Sequence, residues 1–397
     1  MPNSTQGNVR ANIPELHEVN QDPDDGMTVI PAQDIQNDTE YACPVTIGTP
    51  DTEYACPVTI GTPGKYLVYI DVLDSGTNIN FYLRRNVDPR LRVSLACTGS
   101  ADLWVWSSQA RVSKADMEGR GIYNPKKSRT SKKLRGHTWE VRYGDGSSAS
   151  GVVYLDTIVI GDITVENQAV EVARELSDDF LQAGCDGLVG LGFPRLNQVQ
   201  PNRQKTPMEN MIEQGVIKDP IFTVKLDKRD SRGFYTFGFI DETVHCSKFY
   251  WQDVDKQNGW WEGMPSAYIK IGDEIYDRGP DNTAIIDTGT TLVLLDDETV
   301  EKLYSKIEGA TYDEDQGGYI FPTKAEIPHL AFCVGRWLFT IPGYELSFSE
   351  MGNGMSYGAV QSRGQNRQDI LGDIWLKHVY VVFEQSENPR VGVAQRS

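Results

Sequence analysis

Two short patterns occur twice in this chain, in the same order, and they restrict its fold more than any other feature. A Thr-Gly pair, Thr98-Gly99, is followed later by Asp186-Gly187-Leu188-Val189-Gly190-Leu191-Gly192. A second pair, Thr288-Gly289, is followed by Asp369-Ile370-Leu371-Gly372. An internal twofold of this kind implies two related lobes, each contributing one loop to a common centre. The second loop is the fuller one: Ala284-Ile285-Ile286-Asp287-Thr288-Gly289-Thr290-Thr291-Leu292-Val293-Leu294. Ile285 and Ile286 carry Asp287 to the end of a buried strand, Gly289 permits a tight turn, and the threonine hydroxyls can hydrogen-bond the loop or the carboxylate. A carboxylate held this way is partly buried yet ionisable, which suits acid–base chemistry. An isolated Asp-Thr-Gly would serve equally well as a capped β-turn.

Composition agrees with a β-rich chain. Short apolar runs alternate with turn residues, including 37 Gly and 20 Pro, and read as many short strands. A length of 397 residues suffices for one large core or two moderate ones. The formal net charge of −18 argues against nucleic acid and against an anionic membrane surface. It fits work in acid, where protonation relieves self-repulsion. No apolar run reaches membrane-spanning length. The five histidines are scattered without metal-site spacing, and there is no Gly-x-Ser-x-Gly elbow. No metal site is expected from this spacing.

The run around Asp287 resembles the active-site loop of the pepsin-like aspartic endopeptidases. The end of the chain, Asp369-Ile370-Leu371-Gly372-Asp373, then Val379 to Glu384 and Pro389 to Ala394, resembles that family's closing stretch. The resemblance implies a mostly β, bilobal pepsin-like fold with the cleft between the lobes. It also implies a monomer acting on peptide or protein, and two aspartates holding one water, with no cofactor needed. One of these aspartates would be Asp287, with Gly289, Thr290 and Thr291 beside it at the substrate.

The first loop departs from the family. Lys65 to Asp74 reads as a strand ending on an aspartate, but Thr98-Gly99-Ser100-Ala101-Asp102-Leu103-Trp104-Val105 resumes the pattern only after residues 75–97. Joining Asp74 to Thr98 restores Val-Leu-Asp-Thr-Gly-Ser, so Asp74 is the candidate second catalytic aspartate and 75–97 an insertion, read either as translated intron sequence or as a genuine feature. As written, Cys97 occupies the position directly before Thr-Gly-Ser. A further irregularity precedes it: residues 38–50 are repeated without change as 51–63. One fold has one place for that strand, and the second copy, Tyr54 to Pro63, is expected to fill it.

Trp139-Glu140-Val141-Arg142-Tyr143-Gly144-Asp145-Gly146-Ser147-Ser148 reads as a hairpin and resembles the family's flap. The resemblance makes Tyr143 the flap tyrosine with Trp104 as its hydrogen-bond partner, places Gly144 and Asp145 on the peptide, and sets Phe180 and Leu188 in the pocket lining. The family's usual second-lobe disulfide is missing at both ends, where Thr323 and Ser356 stand, and no disulfide framework is read from the six cysteines. Residues 1–37 are expected to be a disordered tail or pro-segment remnant without a signal peptide. The lobes are expected at 38–218 and 219–397, and the compartment is left open. Two functions compete: an aspartic endopeptidase with an acidic optimum, and a catalytically dead peptide-binding relative with its first aspartate loop broken at Cys97.

Overall fold

The computed structural model describes residues 28–34, 41–42, 45–47 and 94–396, apart from 162, 184, 227–231, 246 and 335–336. It is built from strands with a few short helices. The twofold read from the sequence appears directly in the strand pairing. In the first half, Ser94–Cys97 lies parallel to Gly187–Gly190, which pairs antiparallel with Leu103–Val105. Leu103–Val105 in turn runs parallel to Ile163–Leu176. The second half repeats this: Thr283–Ile286 parallel to Asp369–Leu371, that strand antiparallel to Val293–Leu295, and the last parallel to Val360–Ser362.

The recurrent apolar-apolar-Gly now has a physical reason. Gly187–Gly190 is buried along its whole length, covered on both faces, which is why it reads as consecutive small and apolar residues. The glycine lies where the loop of its own half crosses. A Cβ on Gly190 would stand 2.5 Å from Ala101 Cα, and one on Gly372 would stand 2.0 Å from Thr290 O. No other residue fits that approach.

The two halves share a core. A seven-stranded antiparallel sheet runs Tyr250–Asp253, Arg390–Gln395, Val379–Glu384, Ile221–Lys225, Arg232–Phe237, Thr28–Asp34 and Tyr41–Ala42. Beneath it Phe222 stacks on Phe383 at 4.6 Å, and Trp261 meets both rings edge-on. Trp261 also packs against Phe193 at 4.5 Å and donates its indole N–H to Leu191 O at 2.8 Å, joining the second half to the first. Removing a buried aromatic of this kind typically costs about 3–5 kcal/mol.

Three expectations at the N-terminal side change. Residues 28–34, placed by sequence in a disordered tail, form a strand in register with Arg232–Phe237. Of the duplicated segment, the first copy is the paired one: Tyr41–Ala42 joins that strand, and Val45–Ile47 pairs with Ser148–Ile160. Tyr41–Ala42 follows Thr28–Asp34 closely in sequence, which favours the first copy as its antiparallel neighbour at the sheet edge. The second copy lies outside the described residues, as do Lys65 to Asp74. The end of the presumed insertion, Ser94–Cys97, is itself the strand leading into the first loop.

Candidate active site

The loops at 97–100 and 287–290 meet at the centre and are tied by their threonines. Thr288 N–H donates to Thr98 Oγ1 at 3.0 Å, Thr98 N–H donates to Thr288 Oγ1 at 3.3 Å, and Thr98 Oγ1–H donates to Ile286 O at 2.8 Å. Both side chains are fully buried. Each unmade bond would leave a buried polar group unsatisfied, so the pairing fixes the relative position of the loops.

Asp287 leaves its strand into this junction. Its Oδ1 accepts the amides of Gly289 at 2.8 Å and of Gly99 at 3.0 Å, and its Oδ2 accepts the hydroxyl of Thr290 at 2.8 Å. Burial pushes the carboxyl above the usual range, while these donors pull the other way. The geometry is reciprocal across the junction. A Cβ on Gly99 would stand 2.8 Å from Asp287 Oδ2, and a Cβ on Gly289 would stand 2.3 Å from Cys97 Sγ. Cys97 therefore presents its thiol to the second loop as Asp287 presents its carboxylate to the first. Burial, and next the charge of Asp287, push that thiol well above its usual range, so it is neutral in acid and at neutrality. The sequence candidate Asp74 lies outside the described residues.

The hairpin expected from sequence as the flap is formed by Lys132–Arg142 and Ser148–Ile160. Trp104 Nε1–H donates to Tyr143 Oη at 2.9 Å, the partnership expected from sequence. Phe180 meets Trp104 edge-on at 4.7 Å and Tyr143 at 5.9 Å. Phe180 and Leu188, expected in the pocket lining, are almost wholly buried in the same core cluster as Trp104. Gly144 is exposed at the flap tip. Asp145 folds inward, its Oδ1 accepting Ser147 N–H at 2.8 Å and Ser147 Oγ–H at 2.7 Å; this carboxylate holds the turn. Thr291 is buried, and its hydroxyl meets no described partner.

Two features escaped the sequence reading. Asp102 and Glu171 are both buried, and Asn197 Nδ2 donates to Asp102 Oδ1 at 3.0 Å and to Glu171 Oε1 at 2.9 Å. Burial pushes Asp102 up to about 6, and burial with the neighbouring Asp102 raises Glu171. No local pattern links a loop residue, Asp102, with Glu171 on the strand Ile163–Leu176. The second feature is Asp369, on the strand beside Asp287's own. It accepts from Ser266 Oγ at 2.5 Å, Arg278 at 2.6 and 2.9 Å, Asn282 at 2.9 Å and Arg363 at 2.6 Å, satisfying a fully buried charge.

Comparison with known proteins decides the family. A family profile described as eukaryotic aspartyl protease matches residues 90–396. The chain belongs to the eukaryotic aspartyl proteases. It is similar to Aspergillopepsin-1 of Aspergillus oryzae, 42% identical over 76% of this chain and 74% of that protein. It is likewise similar to Aspartic protease pepA of Arthroderma gypseum, 40% identical over 76% of each chain. Penicillopepsin-1 of Talaromyces stipitatus is 40% identical over 76% of this chain and 74% of that protein. Membership in this aspartyl protease family makes the chain a fungal-type, pepsin-like aspartic endopeptidase acting on peptide substrates. Where the sequence resemblance implied a second-lobe bridge, Ser356 Oγ donates to Thr323 Oγ1 at 3.0 Å. Cys97 and Cys333 are free thiols, and Cys246 lies outside the described residues.

Proposed function

We propose that this aspartic endopeptidase binds extended peptide beneath the Tyr143 flap, with Asp287 as its ionisable group, and hydrolyses it slowly because Cys97 faces Asp287. The observation that carries this reading is the reciprocal fit of Cys97 against Gly289 and Asp287 against Gly99. Asp287 as carboxylate accepts a proton from the attacking water. The opposite group must then donate a proton to the developing oxyanion. Two facing carboxyls share one proton and divide these roles. A thiol held neutral is only a weak hydrogen-bond donor, so proton transfer from that side is poor. Losing a positioned acid typically costs about 10²–10⁴-fold in rate.

The test is Cys97→Asp, which writes Asp-Thr-Gly-Ser into the loop without altering its length. Cleavage of an unfolded protein at acidic pH is expected to rise at least about 10²-fold. Its rate should be bell-shaped in pH, reporting the coupled pair and not either residue singly. Asp287→Asn in that background should abolish it. If the unaltered chain already matches Cys97→Asp, and Asp74→Asn silences it, Asp74 is the second catalytic aspartate and the thiol is a bystander. If Cys97→Asp binds a statine-type mimic but does not cleave, the peptide-binding reading stands alone.

A further inference from the structure

The hairpin that carries Tyr143 begins in a strongly basic stretch. Residues 126–135 hold Lys126, Lys127, Arg129, Lys132, Lys133 and Arg135, all of them exposed, and no acidic residue stands between Glu118 and Glu140. This concentration occurs in a chain of net charge −18. Among the described residues, Lys126, Lys132, Lys133 and Arg135 enter no salt bridge.

The shape of this face is set from beneath. The buried Asp156 accepts Tyr123 Oη–H at 2.5 Å through Oδ2. Through Oδ1 it accepts Ser128 Oγ–H at 3.0 Å, Thr130 Oγ1–H at 2.5 Å and Thr157 N–H at 2.8 Å. Ser128 and Thr130 thus turn inward to one carboxylate oxygen, while Arg129 between them stays exposed. From Lys132 the chain runs as a strand, with Lys132 opposite Leu155 and Lys133 opposite Tyr154. Lysines on a strand edge discourage stray pairing, which accounts for Lys132 and Lys133 but not for Lys126, Lys127 or Arg129. With its backbone already held, the loop has little freedom left to lose when an anion binds.

We propose that this face is an exosite for phosphorylated segments of protein substrates, bound outside the cleft. Acid selects the chemistry of the partner. Asp and Glu side chains titrate near about 4 and lose their charge in the acid range expected for the reaction. A phosphate ester loses only its second charge, near about 6. Lysine and arginine stay charged throughout, and a phosphate offers them three strong acceptor oxygens. Lys133 stands ten residues before Tyr143, roughly 33 Å along a strand. The phosphorylated segment would therefore lie about ten extended residues from the bond in the cleft. This deepens the peptide-binding reading above and is independent of the rate that Cys97 allows.

The test reads binding alone, so slow or absent hydrolysis does not affect it. The full chain carrying Asp287→Asn is titrated by fluorescence anisotropy against one labelled peptide in three forms, with a run of phosphoserine, serine or aspartate. At about pH 3.5 the phosphoserine form is expected to bind and the other two to bind far more weakly. Near neutrality the aspartate form should bind as well, and added salt should weaken both. Lys126→Gln, Lys132→Gln and Lys133→Gln together should weaken the phosphoserine form at least tenfold with the melting temperature unchanged. Lys218→Gln, Lys248→Gln and Lys324→Gln together should leave its binding intact. No binding by the phosphoserine form, equal binding by the serine form, or equal binding by the aspartate form at about pH 3.5 would overturn the proposal. So would an equal loss in both triple variants, or anionic vesicles that bind where the phosphoserine peptide does not.

Discussion

Thr98 and Thr288 each accept the other's backbone N–H through the side-chain hydroxyl, at 3.0 and 3.3 Å, with neither side chain exposed. The contact spans 190 positions of sequence and holds both loops to one geometry. Thr98→Val keeps the shape but removes the acceptor for Thr288 N–H. Stability should fall by about 1–3 kcal/mol. Misplacement of Asp287 by about 1 Å can cost on the order of 10²-fold in rate, which is the loss expected in the Cys97→Asp background. Thr98→Ser, which keeps the hydroxyl, should recover most of both. Thermal unfolding and cleavage rates of the two variants would check this; equal behaviour would remove the role from the hydroxyl.

Stability should decline as pH rises out of the acid range, and Asp102 with Glu171 sets the direction. Asp102 is raised to about 6 when folded, against about 3.9 when unfolded. Below about pH 4 both states hold the proton. Between about 4 and 6 only the folded state keeps it, so folding is favoured less with each step upward. That contribution is lost progressively as pH rises through the folded value. Glu171→Gln supplies Asp102 with an amide donor and removes the neighbouring charge. Calorimetric melting at pH 4 and pH 7 should therefore differ less in that variant; an undiminished difference would refute the assignment.

Tyr143→Phe leaves the buried Trp104 indole N–H without its 2.9 Å partner. An unsatisfied buried donor costs about 1–3 kcal/mol, and the flap loses its tether to the wall. Affinity for a statine-type mimic should drop about tenfold, equivalent to about 1.4 kcal/mol. Titration of the mimic against both proteins measures it, and unchanged affinity would show that the flap needs no such tether.

Thr323, just past the strand Gly318–Pro322, and Ser356, on the strand paired with it, hold their oxygens 3.0 Å apart, which brings the side chains close enough for a bridge. Replacing both by Cys should yield a disulfide under oxidising conditions, closing a loop worth about 3–4 kcal/mol by chain entropy. Peptide mapping without reduction should find the link, with a melting temperature several degrees higher. Two free thiols after oxidation would contradict the geometry.

Sequence alone determined the twofold, the mostly β bilobal fold, the strand-end placement of Asp287 and the Trp104–Tyr143 pair. The twofold and the Asp287 loop were legible because their requirements are local. A covered strand needs consecutive apolar residues, a close crossing needs Gly190 or Gly372, and a flap needs a hairpin turn. The Trp104–Tyr143 pair followed from the family resemblance together with the need of a buried indole N–H for an acceptor. Tertiary structure decided that Cys97 faces Gly289 across the junction, that the first copy of the duplicated strand is the paired one, and that Asp102 and Glu171 share a buried site. It also decided that Asp145 turns inward to cap its own turn. Which of two identical copies reaches the sheet, and which side chain stands opposite Asp287, depend on where distant segments close on one another. A one-dimensional pattern repeats with equal force in both copies, and only packing across the two halves distinguishes them.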